Sequence, residues 1–249
     1  PESAIYKSTD AGKSWRKLKK GLPGGDVGRI GMAISPANTD YIYAIVEAAD
    51  DKGGIYRSKD RGESWKKVNS YVSNSPQYYQ ELVAHPSDPE CFISLDTWTR
   101  ITRDGGKTFE RVSTKNRHVD DHALWIDPDN PDHMLIGGDG GIYETYDATR
   151  TWDFKANLPV TQFYRVSVDN DLPFYNIYGG TQDNNTQGGP SRTTSSAGIV
   201  NSDWFITKGG DGFETVVDPK DPNIVYSQSQ YGWLVRYNKK TGERISIKP

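Results

Sequence analysis

Ser58-Lys59-Asp60-Arg61-Gly62-Glu63-Ser64-Trp65 is the stretch that decides the fold, because the chain repeats it. An earlier copy reads Ser8-Thr9-Asp10-Ala11-Gly12-Lys13-Ser14-Trp15, and a later one Thr102-Arg103-Asp104-Gly105-Gly106-Lys107-Thr108-Phe109. A worn fourth copy is Thr145-Tyr146-Asp147-Ala148-Thr149-Arg150-Thr151-Trp152. The aspartates at 10, 60, 104 and 147 are 50, 44 and 43 residues apart, an interval that marks one supersecondary unit used repeatedly. The phrase reads as a turn lock. The carboxylate accepts from backbone amides two and three residues on, the glycine supplies a positive φ, and the Ser or Thr hydroxyl adds a side-chain bond. The closing aromatic (Trp15, Trp65, Phe109, Trp152) starts the next strand and buries a large apolar area.

A second repeat keeps step with the first. Ile34-Ser35-Pro36, Ala84-His85-Pro86, Ile126-Asp127-Pro128 and Val217-Asp218-Pro219 each follow one alternating apolar run and precede another, and Val168-Asp169-Asn170 is a variant. Proline lacks the ladder donor and restrains the residue before it, so these steps end strands. Each unit becomes strand, Pro turn, strand, variable loop, strand, Asp turn, strand. Four short antiparallel strands in about 45 residues is the pattern of a β-propeller blade.

The Asp phrases resemble the Asp-box, or BNR, repeats of sialidase-like, sortilin-type and xyloglucan-active glycoside hydrolase propellers. The stretch from His118-Val119-Asp120-Asp121-His122 to Gly179-Gly180-Thr181-Gln182-Asp183-Asn184 is similar to a narrower group, large secreted bacterial BNR-repeat proteins. The resemblance spans essentially the whole chain. It implies an all-β propeller and a secreted, periplasmic or cell-surface setting. It leaves function open, because Asp boxes occur in enzymes and binders alike.

Composition narrows the classes. Aromatics make up 12% of the 249 residues beside 25 glycines, in keeping with short strands and polar turns. A net charge of −3 argues against a general nucleic-acid binder. No apolar run reaches the roughly 20 residues of a membrane span. Cys91 is the single cysteine, which excludes an internal disulfide. The sequence implies no cofactor, and no serine lies in a His-Asp arrangement that suggests a nucleophile.

The spacing places a partial blade at 1–22 and blades at 27–69, 77–113, 122–157, 162–207 and 213–248, all within one propeller fragment over 1–249. Because the chain opens inside a repeat, the expectation is an incomplete arc, completed by the rest of its own propeller or by a partner chain. The blade at 162–207 has no Asp box and carries a polar insertion, Asn184 to Asn201. The last blade has a degenerate turn, Tyr237-Asn238-Lys239-Lys240-Thr241-Gly242.

In a four-stranded meander the first and third turns lie at one end of the blade, with the second turn and exit loops at the other. Pro turns and Asp boxes therefore share one end, and the variable loops share the opposite one. Functional residues gather on loops carried by a rigid scaffold. On these loops Gly137-Gly138-Asp139-Gly140-Gly141 and Gly209-Gly210-Asp211-Gly212 each present a carboxylate between glycines. Asp139 also resembles the Asp-x-Gly-Gly-x-Tyr context of a catalytic aspartate in xyloglucan-active propellers. Glycoside hydrolysis needs two carboxyl groups, and Asp211 or Asp183 is the partner available to Asp139. His118, His122 and Asp121 would be the ligands if a metal were held here, although zinc would need further support from another loop. Gln182, Asp183 and Asn184 offer amides and a carboxylate to a glycan or a peptide backbone, with Trp98 and Tyr231 as stacking platforms. The function that follows is non-catalytic protein or glycan binding at the loop ends. The alternatives are a polysaccharide-directed glycoside hydrolase and a structural scaffold subunit.

Overall fold

The computed structural model describes residues 3–158 and 160–248. Pro1 and Glu2 of the expected partial blade, Pro159 of the loop at 158–163, and Pro249 lie outside the described residues. The chain forms two compact units, Pro1–Ala156 and Asn157–Pro249.

The first unit opens with a two-stranded sheet, β1 (Tyr6–Lys7) and β2 (Arg16–Lys17), joined by the first Asp box. Three four-stranded antiparallel meanders follow. They are β3 to β6 (Val27–Ile34, Ile42–Ala48, Gly54–Ser58, Lys66–Asn69), β7 to β10 (Glu81–Ala84, Phe92–Leu95, Arg100–Thr102, Glu110–Arg111) and β11 to β14 (Asp121–Ile126, Met134–Gly138, Gly141–Thr145, Asp153–Phe154). The second unit holds two more: β15 to β18 (Arg165–Val168, Asn176–Gly180, Thr186–Pro190, Phe205–Lys208) and β19 to β22 (Gly212–Val217, Ile224–Ser229, Trp233–Asn238, Arg244–Ser246). These are the all-β propeller blades that the repeats predict. No helix among the described residues is long and apolar enough to cross a membrane.

Strand alternation gives each blade two apolar faces, and these faces make the core. Tyr43, Ile45 and Ile55 of one blade pack against Leu82 and Phe92 of the next. Cys91, Ile93 and Leu95 in turn meet Ile126, Met134 and Ile136. Ala44 and Val46, on the other side of β4, pack with Ile5 and Leu18 of the two-stranded sheet. In the second unit the interface is partly polar: Ser227 donates to Thr207 at 2.8 Å, beside Tyr178, Val225 and Tyr237.

The Asp boxes join the third and fourth strands, and their bonds differ slightly from the expectation. Asp60 Oδ1 accepts from the Ser64 amide at 2.9 Å and from the Ser58 hydroxyl at 2.7 Å, while Oδ2 takes the Ser64 hydroxyl. Asp104 accepts from the amides of Lys107 and Thr108. The amides are thus three and four residues on, not two and three, because the amide two residues on is taken by the hydroxyl that opens the box. The Gly62 amide binds Ser58 Oγ instead. Trp15 and Trp65 donate their indole N–H to the glycine carbonyl of their boxes, Trp65 to Gly62 at 3.1 Å, whereas the box closed by Trp152 has Thr149 in place of the glycine.

Burial of the closing aromatic is a second correction. Trp65 and Trp152 are buried, but Trp15 is 63% exposed. Its box closes through the same bonds, including Trp15 Nε1 to the Gly12 carbonyl, so turn geometry and burial are separable.

The polar insertion also lies elsewhere than its composition implies. Thr186–Pro190 is a strand, pairing with both β16 and β18. The irregular segment is 191–204, between the third and fourth strands. It occupies the place of the missing Asp box, at the box end of the blade.

Candidate functional site

The first strands of three blades, β3, β11 and β19, carry a register shift near their loop ends, between Val27 and Ile30, Asp121 and Ala123, and Gly212 and Thr215. Such bulges re-aim side chains at the rims of sheets. In β11 the extra residue is His122. Asp121 pairs with Gly138 and Ala123 with Gly137, leaving His122 between them.

The His122 imidazole meets Asp139, Nε2 to Oδ1 at 3.3 Å. Tyr79 stacks on the same ring, with centroids 5.0 Å apart and planes 15° from parallel. The Tyr79 hydroxyl donates to Asp120 Oδ1 at 2.6 Å, and the Asp139 amide donates to the Asp120 carbonyl at 3.1 Å. Burial, followed by the hydrogen bond to Asp120, pushes the Tyr79 hydroxyl well above the ordinary phenol range. The glycines around Asp139 serve this close approach. A Cβ on Gly138 would fall 2.1 Å from the Asp120 carbonyl oxygen, and one on Gly140 2.2 Å from the His118 side chain.

The three residues named as possible metal ligands have other neighbours. Asp121 is buried in an ion pair with Arg117 and accepts from Thr99 Oγ1 at 2.6 Å. His118 places Nδ1 2.6 Å from the Val119 carbonyl. Asp121 therefore faces inward to Arg117 while His122 faces Asp139, and no cluster of three metal-ligating residues occurs among the described residues. Also in the first unit, Trp98 lies under the Arg111 guanidinium, 4.9 Å from the ring centroid.

The second unit gathers Gln182, Asp183 and Asn184 in one turn between β16 and β17. Thr181 and Asn185 close the turn through the bond from the Thr181 amide to the Asn185 carbonyl. Asp183 and Asn185 hold left-handed φ values of 59° and 72°. The Asp183 amide donates to Asp211 Oδ1 at 2.9 Å. The Asp211 amide donates to Gln230 Oε1 at 2.8 Å, and the Gln230 amide returns a bond to the Asp211 carbonyl. Three loops are thereby tied into one surface. At its borders Tyr164 donates to Gln182 Oε1 at 2.6 Å, and Tyr231, 85% exposed at φ 60°, projects beyond Gln230. The Lys248 ammonium caps the Trp233 ring at 4.5 Å and donates to the Tyr231 carbonyl.

The candidates thus separate by unit. Asp139 and Trp98 belong to the first, with Asp139 facing an imidazole. Asp183, Asp211, Gln182, Asn184 and Tyr231 belong to the second, where Asp211 serves as an acceptor for a backbone amide. Sequence reasoning missed Tyr79 as the stacking partner of His122, and Tyr164 and Gln230 as the residues that orient the amide turn. The pair Tyr78-Tyr79 was a visible signal, but Gln230 carried none.

Residues 3–100 match the family model for sortilin, neurotensin receptor 3 (Sortilin-Vps10), which is less than half of the 249 residues. No curated protein matches the chain. Among solved structures it is similar to a GH74 enzyme of Niastella koreensis at 15% identity, covering 87% of this chain and 38% of that one, with a TM-score of 0.43. It is also similar to the GH74 xyloglucanase of Xanthomonas campestris at 14% identity, covering 98% of this chain and 42% of that one, with a TM-score of 0.48. A third is YCF48 from Cyanidioschyzon merolae at 13% identity, covering 87% of this chain and 70% of that one, with a TM-score of 0.36. The chain spans well under half the length of the two GH74 structures. The boxes and blades above make the chain an all-β assembly of four-stranded propeller blades with Asp-box turns.

Proposed function

We propose that this chain is a non-catalytic binding propeller of a secreted or envelope-associated protein, which takes an extended polypeptide segment at the loop ends of its second-unit blades. The observation that carries the reading is the interlocked surface of Thr181–Asn185, Asp211 and Gln230. Its backbone is fixed by hydrogen bonds before any ligand arrives, so little ordering entropy is lost on binding. Gln182 is exposed and Tyr164 occupies its Oε1, so the amide N–H groups of this side chain are oriented for a peptide carbonyl. A glycan is the second reading, favoured by the exposed Tyr231 ring, which suits stacking on a sugar face.

Hydrolysis is the weaker account. The first-unit carboxylate with the catalytic resemblance, Asp139, is paired with His122, and a second carboxyl group is required for the acid–base division of labour. Peptide and glycan arrays probed with the wild-type chain and with the Gln182→Ala/Asp183→Ala variant test the proposal. Binding to extended peptides that is lost in the variant supports it, whereas binding confined to glycans selects the second reading. Release of reducing ends from a polysaccharide, abolished by Asp139→Asn, would replace both with the enzyme.

A further inference from the structure

At the loop ends of the second unit, exposed aromatic rings border the hydrogen-bonded turns on two sides. Tyr164 and Phe213 are both exposed and lie with ring centroids 5.4 Å apart, and the Arg165 guanidinium covers the Phe213 ring at 5.5 Å. Tyr231 and Trp233, where β20 turns into β21, form the other border. A chain of contacts joins the two: Tyr164 to Gln182, the Asp183 amide to Asp211, the Asp211 amide to Gln230, and Tyr231 next in sequence. Tyr231 is held at φ 60°, where a bulky side chain rarely sits, and the Lys248 ammonium donates to its carbonyl at 3.1 Å. Exposed rings gathered around one polar strip mark an interaction surface.

The backbone of this surface is already engaged. The Thr181 amide donates to the Asn185 carbonyl, the Asn185 amide to the Gly210 carbonyl and the Gly212 amide to the Thr181 carbonyl, beside the engaged amides of Asp183, Asp211 and Gln230. A β-strand ligand needs an open row of N–H and C=O groups, and these turns present none. They present the side-chain N–H groups of Gln182 and flat rings. A polyproline II helix fits both: it makes no internal hydrogen bonds, so its carbonyls stay available, and its pyrrolidine rings pack on aromatic side chains. The cations add a constraint. Arg165 covers one border ring, and Lys248 covers Trp233 at 4.5 Å. Neither is paired with a carboxylate among the described residues, so both favour acidic groups at the ends of a ligand. No two of the 14 prolines of this chain are adjacent, so residues 1–249 supply no such segment themselves.

We propose that this surface binds a proline-rich segment of a partner protein in the polyproline II conformation, with an acidic residue at each end. Pyrrolidine rings lie on Tyr164 and Phe213 at one border and on Tyr231 at the other, and a ligand carbonyl between them accepts from Gln182 Nε2. The end carboxylates meet Arg165 and Lys248. A preformed helix on preformed turns leaves little conformational freedom to be lost on binding. This ligand class rests on the peptide-binding reading of the same loops and specifies the sequence type that the reading leaves open.

The probes are two fluorescent synthetic peptides read by anisotropy: a run of about six prolines between two aspartates, about 25 Å long as a polyproline II helix, and the same ends around a Gly-Ser run of equal length. The chain should bind the proline peptide saturably and about tenfold more tightly than the Gly-Ser peptide. Tyr231→Ala, at a ring that is mostly in water and outside the core, should weaken the proline peptide about fivefold, the size of one lost aromatic contact. Gln182→Ala should weaken it by a similar factor, as should exchanging the end aspartates for lysines. Equal binding of the two peptides, both lost in Gln182→Ala, overturns the polyproline ligand and leaves peptide binding at these loops standing. Binding of the proline peptide unchanged in both Tyr231→Ala and Gln182→Ala overturns the proposal by placing that peptide elsewhere. Equal affinity for the lysine-ended peptide overturns the assignment of Arg165 and Lys248. If no peptide of any composition binds, the proposal and the peptide-binding reading fail together.

Discussion

At Asp60 a carboxylate accepts two hydroxyls and an amide, and each bond stabilises the ionised form. The Ser64 hydroxyl contributes most, and the pKa falls from 3.8 to about 2. Asp10 and Asp147 behave alike, led by Ser14 and Thr151, and Asp104 also falls to about 2, its Thr108 and Thr102 bonds outweighing a larger opposing effect of burial. In the unfolded chain these groups titrate near 3.8. The stability they supply is therefore whole above that value and disappears as pH falls through about 2. Urea midpoints should stay level as the pH drops to about 4.5 and fall steeply between about 4 and 2. Asp60→Asn should flatten part of that fall. The closing aromatics respond differently. Trp65→Ala should cost about 3–5 kcal/mol, as for other buried aromatics, whereas Trp15→Ala should stay within about 0.5 kcal/mol because the ring is mostly in water. Asp121→Ala should cost about 3–5 kcal/mol by stranding the buried Arg117 guanidinium, and chemical denaturation measures each. The turn chemistry of the boxes was legible because it is local. The exposure of Trp15 was not, because it depends on which blade face covers the ring.

Element-scale geometry explains both the site and the errors in reading it. The alternation of apolar residues places strands, but it does not fix register, so the bulge that sets His122 toward Asp139 left no trace in the sequence. The amide turn at 182–184 was visible because Gly, Asp and Asn mark a turn. Its anchoring by Gln230 comes from a separate blade hairpin, and no local pattern announces it. The insertion was misplaced for a related reason. Thr186-Gln187-Gly188-Gly189-Pro190 has the composition of a loop, yet it pairs as a central strand because Tyr178 and Trp204 crowd the faces where Gly188 and Gly189 have no side chains. Segment 191–204 is at the box end, remote in its blade from the amide turn. Replacing 192–200 with a four-residue Asn-Gly turn should change the unfolding free energy by no more than about 1 kcal/mol, since loop closure entropy varies slowly with length. Ligand binding should be unchanged. A deletion that abolishes binding while preserving the fold would place function at the wrong end of the blade.

On the scale of the molecule the repeat serves as a coordinate system. It assigns a box end and a loop end to every blade, and it makes β1 recognisable as a third strand from its register alone. The boxes stabilise turns, the blade faces form the core, and the loop ends are left to vary. The central claim is that binding belongs to the loop ends and not to the repeated aspartates. Equilibrium binding of one array-selected ligand to wild type, Gln182→Ala/Asp183→Ala and Asp60→Asn tests it most directly, with all three proteins held at pH 7 where the boxes are ionised. The account predicts at least a tenfold weaker Kd for the loop variant, the loss of about 1.4 kcal/mol that one or two ligand hydrogen bonds supply, and an unchanged Kd for Asp60→Asn. An unchanged Kd in the loop variant, or loss of binding in the folded Asp60→Asn protein, would contradict it.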